Sequence, residues 1–160
     1  MQRIKNRVKK INVLILCTGN SARSILAEAI LTRLGKGNII AYSAGSLPKG
    51  AVHPMALELL KSNCYPIESF RSKSWDEFTT SNAPEMDIVI TVCDRAANEI
   101  CPIWQGNPLM IHWGVADPDR PDLSLIKQKS LFKSIYQELE QKFTQFIELD
   151  ITEMDEVQLQ

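Results

Sequence analysis

The stretch INVLILCTGNSARS, residues 11–24, constrains this chain more than any other. INVLILC is continuously apolar and β-branched, which reads as a strand buried on both faces of a parallel sheet. Gly19 and Asn20 follow, two residues that tolerate left-handed backbone angles. From Ala22 to Leu34 the apolar residues 25, 26, 29, 30 and 34 keep a helical period, which Gly35 and Gly37 end. A strand that turns tightly into a helix can aim successive backbone N–H groups inward as an anion nest, and the helix adds its N-terminal dipole. Arg23 then closes the cradle with a two-pronged guanidinium suited to a tetrahedral oxyanion. Cys17 sits at its base, where amides, dipole and arginine all favour a thiolate, and Ser24 is placed to donate its hydroxyl to the sulfur.

The rest of the chain repeats the alternation. NIIAYSAG reads as a second strand closed by Gly45, with Ser43 at its carboxyl end. HPMALELLKSN is a helix with Pro54 at its first position. SKSWDEF is a short helix capped by Ser74. MDIVITVC is a strand closed by Cys93, and PLMIHW a weaker fourth strand. Residues 125, 128, 132, 135, 139, 143 and 146 mark a long amphipathic helix from Leu125 to Ile147. Strands alternating with helices imply an α/β fold around a parallel sheet, and such sheets bind ligands at the carboxyl ends of their strands. Cys17, Ser43, Cys93 and the loop GVADPDRP should therefore gather at one rim.

Length and composition set the boundaries of this reading. The 160 residues fit one domain with a full core. A net charge of −1 excludes a generally basic face for nucleic acid. Residues 1–11 form a basic extension, 12–148 the domain, and 149–160 an acidic tail. No window approaches the roughly 20 apolar residues of a membrane span, so no membrane partner is expected and the reading is cytoplasmic. Four cysteines in such a chain read as reactive thiols rather than staples. Of these, Cys64 follows a helix and has no catalytic role. His53 is a helix cap or surface residue and His112 a satisfied core group. Neither has metal-ligand spacing.

The sequence CTGNSARS, with AYSAGS, TVCDRAANEICP and HWGVADP, resembles the active-site loop and flanking segments of the low-molecular-weight protein tyrosine phosphatase fold, and more closely the arsenate reductases built on it. The resemblance covers Asn12 to about Ile147. It implies a three-layer α/β/α domain with a four-stranded parallel sheet, Cys17 as nucleophile and Arg23 as oxyanion clamp. The oxyanion would be held by Thr18, Gly19, Asn20, Ser21, Ala22, Arg23 and Ser24. The family's Asp-Pro pair falls on Asp117 and Pro118, so Asp117 is the expected general acid. The phosphatases carry tyrosines just after this pair. Asp119 and Arg120 stand there instead, which favours a small inorganic oxyanion over phosphotyrosine.

Cys93 and Cys101 extend the expectation to a relay. Arsenate bound to Cys17 is reduced when Cys93 attacks the Cys17 sulfur, and Cys101 then takes over the disulfide. Were DRAANEI helical, the two cysteines would lie about 12 Å apart along the axis, beyond the roughly 4.4–6.8 Å between Cα atoms that a disulfide spans. A rearrangement confined to about residues 93–105 is therefore expected. Two departures from the family stand out. Seven residues separate Cys93 from Cys101, where the thioredoxin-linked members have six. Ala22 replaces a second loop cysteine that many relatives carry, which excludes a disulfide within the loop.

The resemblance implies arsenate as substrate, phosphate and sulfate as competitors, and no tightly bound cofactor. Electrons would come from thioredoxin or from glutathione and glutaredoxin. Some such reductases also bind potassium through oxygens that fall near Asn20, Glu28 and Ser43. The same three residues have plainer readings, Asn20 and Ser43 bracing the loop and Glu28 lying at the surface. The alternatives for the whole chain are a phosphatase acting through a Cys17 phosphocysteine and, more distantly, a non-catalytic oxyanion-binding domain.

Overall fold

The computed structural model describes residues 10–149. The basic extension and acidic tail therefore lie, but for Lys10, Ile11 and Leu149, outside the described residues. Four parallel strands form one sheet in the order β2-β1-β3-β4: β1 Ile11–Cys17, β2 Ile39–Gly45, β3 Ile88–Thr91 and β4 Leu109–His112. Helix α1 spans Arg23–Leu34, α2 Pro54–Ser62, α3 Asp94–Ala97 and α4 Leu125–Ile147, and a 3-10 helix spans Trp75–Phe78. The period-3.6 and apolar-run patterns thus found every element of more than one turn. No helix among the described residues is long and apolar enough to cross a membrane.

Alternation along β1 divides the core into two. Val13, Ile15 and Cys17 pack with α1, α2 and α4, and with Ile90 and Ile111. Leu14 and Leu16 face the other side, against Phe78, Met86, Val89 and Trp104. The first side holds the helices, tied down by Trp113, Phe143 and Phe146, whose rings pack edge-on with centroids 5.4–6.3 Å apart. The 3-10 helix and the irregular chain around Trp104 cover the second.

β2 closes at Gly45 as expected, though Ser43 sits two residues before that end, pairing with Ile15 inside the ladder while Gly45 pairs with Cys17. Two boundaries differ from the sequence expectation. β3 stops at Thr91, so Cys93 does not close it but caps α3, its sulfur accepting from the Ala96 N–H at 3.4 Å. α3 ends at Ala97, so DRAANEI is helical only over its first four residues. His112, expected in the core, is exposed at the end of β4. It is nonetheless fully engaged, with Thr91 Oγ1 at 2.8 Å and Asp94 Oδ1 at 3.0 Å. Short β3 and β4 explain this: they end before the rim, and the side chains beyond them turn to loops. The expected caps are present, with His53 Nδ1 accepting from Met55 N and Ser74 Oγ from Asp76 N.

Gly45 carries a steric constraint that its motif AYSAGS does not reveal. A Cβ there would lie 2.4 Å from the Thr18 carbonyl oxygen and 3.0 Å from Asn20 Cβ. The end of β2 thereby seats the loop after β1. Gly45→Ala is expected to destabilise the protein by about 1–3 kcal/mol through overpacking against backbone. A urea titration would show this as a lower midpoint at unchanged slope.

Candidate active site

The loop from Thr18 to Ala22 is held from outside by its carbonyls. Thr18, Gly19 and Ser21 accept from the N–H groups of Leu47, Lys49 and His53 at 2.9–3.0 Å, and Ala22 accepts from Leu26 at 2.9 Å. In a trans peptide the N–H points opposite to the preceding C=O, and no cis peptide occurs among the described residues. The amides of Gly19, Asn20, Ala22 and Arg23 therefore point to the inner side. That side is a cavity of about 470 Å³ lined by Cys17, Thr18, Gly19, Ser21, Ala22, Arg23, Cys93 and Asp117, among others. Asn20 adopts the left-handed backbone angle that its identity suggested, with φ of 40°.

The side chains of Asn20 and Ser24, two residues expected in the oxyanion cradle, are fully buried and lie behind the loop, whereas the Asn20 backbone amide faces the cavity side. They belong to a hydrogen-bond chain whose direction can be worked out. The backbone N–H of Lys73 donates to Asn20 Oδ1 at 2.8 Å, which fixes the amide orientation. Asn20 Nδ2 then donates to Ser43 Oγ at 3.0 Å and to Ser24 Oγ at 2.8 Å. Ser43 donates its own proton to Glu28 Oε2. Ser24, already accepting from Asn20, has its proton free for Cys17 Sγ at 2.9 Å. Ser24 thus presents an O–H donor to the Cys17 sulfur.

Glu28 is not at the surface; its side chain is 16% exposed and faces the still more sheltered Lys73. Asn20, Glu28 and Ser43 do come together, as the resemblance to potassium-binding reductases implies. The Lys73 ammonium, however, stands among them, 3.5 Å from Ser43 Oγ and 3.7 Å from Glu28 Oε2. These residues do not fit a metal cation, because the positive charge is already supplied. Among the described residues no three His, Cys, Asp or Glu side chains cluster to hold a metal. Burial pushes the Glu28 carboxyl upward against the pull of Lys73. Burial also draws the Lys73 ammonium downward, with Glu28 opposing. For each group the attraction of the other opposes the cost of its burial, so a buried pair of this kind is no strong source of stability.

Arg23 divides its guanidinium between the Val115 carbonyl at 3.1 Å and Asp117 Oδ2 at 3.0 Å. Asp117 is half exposed, at the cavity wall. Asp119 is placed differently. Lys49 Nζ donates to it at 2.7 Å. His53, whose Nδ1 accepts from Met55, approaches it with Nε2 at 3.5 Å. The Lys49 hydrogen bond, aided by the charges of Lys49 and His53, holds the Asp119 carboxyl below the usual range. Asp119 is thus tied to Lys49 and His53, while Asp117, the candidate acid, is the one of the two that pairs with Arg23.

The four cysteines are all free thiols. Cys17 and Cys93 line the same cavity, and Thr18 Oγ1 lies 3.7 Å from Cys93 Sγ. Cys101 is not in that cavity. It packs with the second core cluster and lines a separate shallow depression with Pro102, Ile103 and Trp104. Burial, and then the charge of Glu99, push the Cys101 thiol up. Cys64 is exposed and in a left-handed conformation, φ 59°, and does not line the cavity. Lys49 and Lys73 escaped the sequence reading. Each lies in an irregular segment, GSLPKG and RSKSW, where no periodicity or motif marks a lysine as buried or site-facing.

Ser24→Ala removes the one hydroxyl aimed at Cys17 while leaving the cavity wall intact. Alkylation of Cys17 by iodoacetamide at neutral pH, quantified by peptide mapping, is expected to slow by about tenfold, the equivalent of a hydrogen bond to a charged group.

Comparisons with known proteins agree with this fold. The profile of the low molecular weight phosphotyrosine protein phosphatases matches residues 12–158. An arsenate reductase of Halalkalibacterium halodurans is 31% identical over 136 residues, covering 85% of this chain and 94% of that protein. A glutaredoxin arsenate reductase of Synechocystis sp. is 31% identical over 115 residues, 72% of this chain and 84% of that one. Among solved structures, a thioredoxin-dependent arsenate reductase of Corynebacterium glutamicum superimposes with a TM-score of 0.64 at 23% identity. That alignment covers 90% of this chain and 63% of the other. With the sheet order, the loop and its arginine in place, the chain belongs to the low molecular weight phosphotyrosine protein phosphatase family.

Proposed function

We propose that this protein is an arsenate reductase that works by a relay of three thiols. The observation that carries the reading is the presence of two free cysteines, Cys17 and Cys93, on the wall of one cavity that also holds Arg23 and Asp117. Phosphoester hydrolysis needs only the first cysteine. The curated relatives named arsenate reductase, at 31% identity over most of the chain, support the same reading.

An arsenate ion entering the loop meets the inward amides and takes over part of the Arg23 fork from Asp117. The Cys17 thiolate attacks arsenic, and Asp117 delivers a proton to the departing oxygen, which leaves as water. The Cys93 thiolate then attacks Cys17 Sγ. The sulfur–arsenic bond breaks, its electron pair stays on arsenic, and arsenite leaves while a Cys17–Cys93 disulfide forms. Cys101, as thiolate, attacks Cys93 Sγ, releasing Cys17 and forming a Cys93–Cys101 disulfide. A dithiol reductant takes that bridge back to two thiols. Two thiols thus supply the two electrons that arsenic gains.

The last step needs movement and access. Cys93 belongs to the helix-covered core and Cys101 to the cluster on the opposite side of the sheet. Among the described residues, residues 100–104 make no backbone–backbone hydrogen bond, and the Trp104 indole N–H is buried without a partner. Few such restraints are what a locally opening segment requires. Ile100 and Ile103, 97% and 93% exposed beside Cys101, offer an apolar surface for a thioredoxin or glutaredoxin. Such reductants operate in the cytoplasm, where we place the protein.

The phosphatase reading has its own support in Cys17, Arg23 and Asp117 and in the family profile. One substitution separates the two. Cys93→Ser is expected to abolish multiple-turnover arsenite release while leaving slow hydrolysis of an aryl phosphate at the native rate. A variant that reduces arsenate as fast as the native enzyme would refute the relay. A second outcome concerns pH. Because the Cys101 thiol is pushed up, less of it is thiolate near neutrality. Formation of the Cys93–Cys101 bridge in a single turnover should accelerate as pH rises through and beyond the ordinary thiol value of about 8.5. Glu99→Gln, by removing a charge that opposes ionisation, should move that limb to lower pH. Quenched samples mapped for disulfides would measure both.

A further inference from the structure

Two of the groups that the resemblance assigns to a potassium ion, Glu28 and Ser43, form with the Arg71 carbonyl a cage of oxygens behind the loop, and the chain fills that cage itself. Lys73 Nζ lies 3.2 Å from the Arg71 carbonyl, 3.5 Å from Ser43 Oγ and 3.7 Å from Glu28 Oε2. Its side chain is 8% exposed, so the ammonium is sheltered with its oxygens rather than loosely paired at the surface. A free monovalent cation would have to share three oxygens with a charge of the same sign.

We propose that Lys73 is a positioning residue, a built-in cation that keeps the loop set for Cys17 and makes the enzyme independent of potassium. The physical link runs through the hydrogen-bond chain. The ammonium holds Glu28 as a carboxylate acceptor. A carboxylate obliges Ser43 to donate to it. Ser43 is then left to accept from Asn20 Nδ2, and Asn20 in turn holds Ser24 as the donor to Cys17. Two parts of Lys73 act at two points. Its backbone N–H fixes the Asn20 amide, and its side chain fixes Glu28. Truncation of the side chain removes only the second, and leaves a space bordered by the same oxygens. The inference rests on Cys17 being the nucleophile, the part of the proposed function that the reductase and phosphatase readings share, and not on which oxyanion reacts.

The test compares the native protein and Lys73→Ala at fixed ionic strength, in choline chloride and in potassium or ammonium chloride. Two quantities are read: the rate of Cys17 alkylation by iodoacetamide, quantified by peptide mapping, and the melting temperature. Neither depends on arsenate turnover, so a chain that fails to reduce arsenate can still pass or fail here. In choline chloride Lys73→Ala is expected to lose about tenfold to a hundredfold in alkylation rate, the usual cost of losing an outer-shell partner. Potassium or ammonium should restore the rate saturably, which a merely structural lysine would not permit. The native protein should respond equally in all three salts. Native-like alkylation of Lys73→Ala in choline, or a loss that no cation restores, would overturn the proposal. Should the variant not fold, the native protein decides alone. A flat response to potassium in rate and melting temperature supports a resident cation, and a saturable potassium-specific rise overturns it.

Discussion

A buried Asn20 side chain ties the loop to everything beneath it. Its oxygen is held by the Lys73 backbone, and its two N–H groups reach Ser24 and Ser43. Polar atoms buried this deeply stay only where each has a partner, so the loop, β2, α1 and the segment around Lys73 must be assembled together or not at all. The left-handed backbone angle at Asn20 and the close approach of Gly45 to the Thr18 carbonyl belong to the same arrangement. Local strain of this kind persists because the surroundings over-determine it. The outcome is a ring of amides turned inward and a hydroxyl directed at Cys17.

The second cysteine is governed by a different balance. β3 stops short of the rim, and a one-turn helix begins at once with Cys93 as its cap. Behind it the chain is pinned by Asp94 to His112, and it is caught again where Met86 bonds to Gln105 and Gln105 to Thr80. Between these anchors lie Cys101 and the two exposed isoleucines. The end of β1 and the cap of α3 thus present Cys17 and Cys93 to one cavity. The loosely bonded stretch that follows holds the third thiol elsewhere. A relay needs this combination, since precise placement serves attack on the substrate and slack serves the passage of the disulfide outward.

The buried Glu28–Lys73 pair illustrates how stability and function separate. Each group is displaced toward its neutral form by burial, so an apolar pair of similar volume would suit the fold at least as well. Its position behind the loop, in hydrogen-bond sequence with the cysteine, gives it meaning at the site. Asp119 shows the converse. A short bond to Lys49 and a nearby histidine stabilise its charge and hold its carboxyl below the usual range.

Hydrophobic period alone located the strands and the long helices, because burial on a sheet or against it imposes a spacing of two or of three and four on the sequence itself. The turn CTGNSAR carried its chemistry equally openly: a glycine and an asparagine where the backbone must turn, a cysteine before it and an arginine after. Other features are long-range and leave no local trace. Whether β3 ends at Thr91 or Cys93 depends on where β4 stops pairing. Whether Glu28 faces solvent or a lysine depends on a segment 45 residues away, Lys73 against Glu28, folding across the end of β2. The side of the sheet on which Cys101 packs depends on Trp104 and its cluster. The sequence by itself determined the elements and the chemical groups at the loop, since these follow from spacing and residue type. Only the tertiary structure decided which groups share an environment, because burial, charge pairing and hydrogen-bond direction are properties of neighbours that the chain brings together from afar.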